Sequence, residues 1–77
     1  MFINCYLIKN TMLIEDIGET TVFGVACNYL YNLSVNNIVI KDISVNPKYV
    51  FNLVNLINSS QVSSVHIYDV VYDYLVS

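Results

Sequence analysis

Between Ser44 and Val76 the chain carries two apolar stripes at the 3.6-residue period, with only a short serine-rich stretch between them. Two helices joined so closely form a hairpin, antiparallel or steeply crossed, whose inner face has to be covered by another part of the chain. In the first run Val50, Leu53, Val54 and Ile57 repeat at i, i+3, i+4 and i+7, while Lys48, Asn52, Asn55 and Ser59 fall on the wet side. Asn46 is placed to cap, and Pro47 suits the first helical position, where its missing N–H would have had no partner. This spacing predicts a helix over about 47–58. Ser59, Ser60 and Gln61 then read as fray and turn.

The second run predicts a helix over about 64–76, with Ser63 as its N-cap. Ile67, Val70, Val71, Tyr74 and Leu75 cluster on the side expected to face a core, and His66, Asp69 and Asp73 form a narrow polar stripe opposite. Between them lies a third side made of Val65, Tyr68, Tyr72 and Val76, which a simple two-layer domain would leave in water. An exposed aromatic pair of this kind marks a contact, so these four residues are the candidate interface.

Upstream, the pattern changes to a period of two. Ile3, Cys5 and Leu7 alternate with Phe2, Asn4 and Tyr6 in a first strand over about 2–14, with a bulge or bend at Lys9, Asn10 and Thr11. Glu15 to Glu19 is a turn with Gly18 free to take a positive φ. A second strand covers about 20–31, with Thr21, Phe23, Val25, Cys27 and Tyr29 on one face. Gly24 and Ala26 lie on the other, where a helix or another backbone could approach. Asn36 and Asn37 tolerate a tight hairpin turn, and a third strand follows over about 37–43. Sequential strands with short turns pair antiparallel, and two helices of about three turns suffice to cover one face of three strands. The expectation is one small α+β domain over 1–77, a three-stranded antiparallel meander followed by a two-helix hairpin packed on one face (β-β-β-α-α).

A domain of 77 residues has a marginal core on its own. Yet 56% of its residues are hydrophobic, against roughly 45–50% in globular chains, a surplus that fits a subunit interface. No apolar run approaches the ~20 residues that cross a bilayer, which argues against a membrane segment. The start, Met1-Phe2-Ile3-Asn4, lacks a basic n-region and a small-residue cleavage site, so the cytoplasm is the expected location. Cys5 and Cys27 lack paired metal-ligand spacing and are expected as two buried thiols, with a cross-strand disulfide as the reading for a secreted protein. With no arginine, three lysines and a net charge of -3, the chain has no basic patch for nucleic acid. Six dispersed carboxylates are likewise too few for an acidic mimic of DNA.

The stretch Lys41-Asp42-Ile43-Ser44, the helix from Val50 to Ile57, and the run from Val62 to Leu75 together resemble a family of short uncharacterised proteins from Clostridium-like, spore-forming Firmicutes. The likeness extends over roughly the last 35 residues. It rests on the patterns Asp-Ile-Ser and Ser-Pro-x-His-Leu-x-Asp-Val-Val-x-Asp-Phe-Leu. This chain has Ser64 in place of the proline, Tyr72 at a usually acidic position and Tyr74 in place of phenylalanine. The resemblance implies a small cytoplasmic protein. It supplies no activity, because that family carries a domain-of-unknown-function label.

His66, with Asp69 and Asp73 on successive turns, invites a catalytic or metal-binding reading. A metal needs three or four ligands, and nucleophilic catalysis needs a positioned Ser or Cys beside the imidazole; no recognisable motif supplies either. Neither a glycine-rich phosphate loop nor a nucleotide motif is present, since the glycines are Gly18 and Gly24. The expected function is therefore a protein-protein interaction or regulatory module without enzymatic activity, metal or cofactor. It acts as a homo-oligomer, most simply a dimer, or docks on a larger partner through its second helix. The alternative is a small ligand binder or enzyme whose pocket gathers His66, Asp69 and a cysteine.

Overall fold

The computed structural model describes residues 3–76, so the expected strand start at Phe2 lies outside the described residues. Strands β1 (Ile3–Ile14), β2 (Gly18–Tyr31) and β3 (Ser34–Ser44) form an antiparallel sheet in the order β1-β2-β3. Helix α1 (Pro47–Ser60), a 3-10 turn (Ser64–His66) and helix α2 (Ile67–Val76) follow. The arrangement is the expected α+β meander with a helical hairpin on one face.

The turns differ from the sequence reading in an instructive way. β1 and β2 join where Ile17 N–H donates to Ile14 O (3.1 Å), with Asp16 at φ 72° and Gly18 at φ 92°. β2 and β3 join two residues after Tyr31, at Asn32 and Leu33, both with positive φ (51° and 64°). That is the backbone of a primed two-residue hairpin, whose twist matches the flanking strands. Asn36 and Asn37, expected to turn, are instead paired with Tyr29 and Asn28 inside the sheet. Leu33 hid the turn, because an aliphatic residue reads as strand; here its side chain is 95% exposed.

The expected irregularity at Lys9–Thr11 is also relocated. β1 runs in unbroken register from Ile3↔Tyr29 to Ile14↔Gly18. The break is in β3, where Val25 pairs with Ile40 but Phe23 pairs with Ser44, so Lys41, Asp42 and Ile43 together oppose Gly24. A Cβ on Gly24 would fall 2.0 Å from Ile40 O and 2.6 Å from Lys41 O. What approaches Gly24 so closely is the bulged backbone of β3 itself, and only glycine leaves it room.

Ile3, Cys5, Val25, Cys27 and Ile38 present the buried face of the sheet, and Val50, Leu53, Val54 and Ile57 of α1 pack onto it with Ile67 and Val71 of α2. Each of the four α1 residues contributes about 1.5–3 kcal/mol by leaving water. Asn46 caps α1 as expected, its Oδ1 accepting from Lys48 N (3.0 Å) and Tyr49 N (3.4 Å). Gln61 ends the helix with a left-handed φ of 49°. Ser63 does not cap with its side chain; its carbonyl accepts from His66 N (2.9 Å) and the chain enters α2 through the 3-10 turn. Leu75, expected on the inner stripe, is exposed: the inner side of α2 is made by Ile67, Val71 and half-buried Val70 and Tyr74, and at about 100° per residue Leu75 falls at the margin of that arc.

One polar contact locks the helical layer to the sheet, and another locks the two helices to each other. The C-terminal turn of α1 reaches the outer edge of β1: Cys5 N–H donates to Asn58 Oδ1 and Asn58 Nδ2 donates to Cys5 O, both at 2.8 Å. Ile3 N–H and Ile3 O exchange the same pair of bonds with the Gln61 amide at 3.2 Å. Two side-chain amides thus stand in for a neighbouring strand. Between the helices, Tyr49 Oη donates to Tyr74 O and Tyr74 Oη to Tyr49 O, both at 3.0 Å, with ring centroids 4.7 Å apart.

Cys5 and Cys27 are register partners with Cα atoms 4.0 Å apart, and they are joined as a disulfide under α1. This corrects the expectation of two thiols. The backbone of Cys5 points outward to Asn58, so the pair occupies a site where neighbouring strands do not exchange backbone hydrogen bonds and side chains lie closest.

Candidate functional site

Val65, Tyr68, Tyr72 and Val76 are all exposed, at 75%, 61%, 66% and 64%, so the third side of the second helix faces solvent as its spacing implies. The cause is geometric: Ile67 and Val71 take α2 into the core with Val70 and Tyr74 packed beside them, and Tyr68 and Tyr72, each one residue further on and so about 100° around the helix, turn away. The four side chains form a strip along one helix with Val65 at the 3-10 turn and Val76 at the last residue of α2. Two large aromatic anchors flanked by valines offer an apolar contact surface whose tyrosine hydroxyls remain compatible with water.

The catalytic reading finds no matching geometry. His66 Nδ1 lies 3.7 Å from Asp69 Oδ2 in a solvent-exposed pair. Cys5 and Cys27 are buried in the core and occupied by each other, so no thiol sits beside the imidazole. Among the described residues no three His, Cys, Asp or Glu side chains gather in a way that could hold a metal ion. A shallow cleft of about 270 Å³ lies elsewhere, at the β3 bulge, lined by Asn10, Thr11, Met12, Val22, Lys41 and Asp42. Its best-placed amide is spent internally, since Asn10 Nδ2 donates to Lys41 O (3.1 Å).

A second exposed surface escaped the sequence reading. Alternation along the strands puts Tyr6, Leu30, Val35 and Val39 on the sheet face away from the helices, all exposed. Strands with apolar residues on both faces carry that signal in their composition, but composition alone does not say which face the helices take.

A two-layer α+β module with a helical hairpin on one face and an exposed aromatic helix side is the class these features define. The chain belongs to a family of unknown function, DUF6514, whose model matches residues 1–77. The family therefore spans the strands as well as the C-terminal half to which the sequence resemblance was confined. No curated protein and no solved structure matches the chain. No helix among the described residues is long and apolar enough to cross a membrane.

Proposed function

We infer that this protein is a small protein-protein interaction or regulatory module that docks through α2, either on a further copy or on a larger partner. The observation that carries the reading is the continuous exposure of Val65, Tyr68, Tyr72 and Val76 on one helix side. Burying two tyrosines and two valines against an apolar surface would contribute several kcal/mol, on the scale of about 1.5–3 kcal/mol per fully buried large side chain. No observation favours the alternative pocket at His66 and Asp69.

A photo-crosslinking residue placed at Tyr68 or Tyr72 tests this in the cells that make the protein. Covalent adducts are expected at both positions, and few at Asp73, which is exposed on the polar stripe of the same helix. Adduct yields at Tyr68 and Tyr72 no higher than at Asp73 would remove the proposed face.

The cytoplasm, and the kinship with proteins of Clostridium-like Firmicutes, belong to the same reading. Reducing thiol pools there would hold Cys5 and Cys27 as a dithiol, whereas the disulfide belongs to an oxidising compartment. Rapid acid quenching, denaturation and alkylation should label both cysteines if the protein resides in the cytoplasm. Protein that takes no label until it is reduced would place it outside that compartment.

A further inference from the structure

We propose that a second copy of this chain pairs antiparallel along the outer edge of β1, between Leu7 and Leu13, extending the two three-stranded sheets into one of six strands. This goes beyond the docking face on α2, which the pairing leaves free.

The edge is defined by the amide clamp. Ile3 and Cys5 turn their N–H and C=O outward to Gln61 and Asn58. Because β1 has no bulge, the period of two makes Leu7, Lys9, Thr11 and Leu13 the next outward positions. Their outward backbone groups have no partner within the chain among the described residues, and a row of this kind is a template to which another extended backbone can add. The devices that blunt edges are sparse here: this stretch has neither proline nor bulge, and Lys9 is its one charge. The opposite edge of the sheet is different, since the bulge at Lys41–Ile43 interrupts β3.

The length and chemistry of the open stretch fit another copy of itself. With a two-fold axis at Asn10, Leu7 pairs with the second copy's Leu13, Lys9 with its Thr11 and Ile8 with its Met12. All four outward positions then meet outward positions and can exchange both backbone hydrogen bonds. Moving the axis to Lys9 would set two lysines face to face, which is unfavourable. Leu13, 82% exposed in one chain, comes to rest on Leu7, which packs at the margin of the core. The second copy's strand ends at Ile14, opposite Tyr6, and its turn at Glu15–Ile17 begins just where the clamp of the first chain closes the edge. The contact is isologous and closes on itself, as a two-fold dimer requires.

Charge substitutions at exposed edge positions test the register without touching the core. Light scattering coupled to size exclusion should give the wild-type mass as two chains. Thr11→Lys places the new lysine against Lys9 of the other copy in both halves of the seam, and the mass should fall to one chain. Adding Lys9→Glu to that variant turns both repulsions into attractions and should restore two chains. Hydrogen exchange supplies an independent readout: in the wild type the amides of Leu7, Lys9, Thr11 and Leu13 should slow by on the order of a hundredfold between dilute and concentrated protein. A wild type that stays monomeric at millimolar concentration overturns the pairing. So does a dimer in which those four amides exchange freely, or one whose mass ignores Thr11→Lys. A dimer dissolved instead by changes at Tyr68 and Tyr72 would assign self-association to α2.

Discussion

Gly24→Ala should cost the fold about 3 kcal/mol or more, enough to lower the thermal midpoint by at least about 12 °C or to leave the protein unfolded at 37 °C. The added methyl group would stand 2.0 Å from Ile40 O and 2.6 Å from Lys41 O, both backbone atoms of the β3 bulge, so no rotamer change can relieve it. Either β3 must leave β2, or the bulge must be lost and the register from Ile40 to Ser44 redrawn. Gly18→Ala is the matching control. At Gly18 nothing lies within 4 Å of the place a methyl group would take, and only the φ of 92° is unfavourable, a strain of about 1–2 kcal/mol. Thermal unfolding followed by circular dichroism reads both variants. Equal losses at the two glycines would mean that β3 does not lie where the structure places it.

Asn58→Ala should destabilise the protein by about 2 kcal/mol. The substitution removes no core volume, yet it strands Cys5 N–H and Cys5 O at the partly buried edge of β1. Asn58→Asp separates the hydrogen bonds from simple packing. A carboxylate keeps the shape and still accepts from Cys5 N–H, but it presents a second acceptor to Cys5 O where the amide donated. Protonation restores the donor, so folding raises the carboxyl pKa above its unfolded value. The interaction is then present at low pH and is lost as pH rises through the folded pKa. Denaturant titrations at pH 7 and near pH 4, each compared with wild type at the same pH, should show a smaller deficit for Asn58→Asp at the lower pH. An equal deficit at both would assign the role of Asn58 to shape alone.

Much of this architecture is legible in the sequence because it follows from periodicity. Val50, Leu53, Val54 and Ile57 could be read as a buried stripe, and Asn46-Pro47 as a helix start, since each signal is local. The aromatic side at Tyr68 and Tyr72 could be read by elimination once the inner stripe was assigned. Contacts that depend on where distant segments meet gave no such signal. Asn32 suits the left-handed φ of a hairpin turn but Leu33 beside it reads as strand, and nothing near Gly24 says that three residues of β3 will crowd it. Cys5 and Cys27 have unremarkable spacing and become a pair only through strand register. Asn58 and Gln61 look like surface polar residues at a helix end until the edge of β1 is beside them. The unpaired stretch Leu7–Leu13 is likewise a property of strand order, because it carries no proline and one charge, and so lacks the marks by which an edge strand can be told from a central one.

The amide clamp also sets a schedule for synthesis. Cys5 and Asn58 are 53 residues apart, and at about 5–20 residues per second a ribosome needs about 3–10 s to make the second after the first. Throughout that interval the edge at Ile3 and Cys5 has no cover from the chain's own amides, although β1 and β2 can already have paired. Slower translation lengthens this period, and a crowded polysome brings the unfinished edges of neighbouring nascent chains together. Closure of this edge therefore waits on the emergence of Asn58 and Gln61, the last of the clamp's residues to be made.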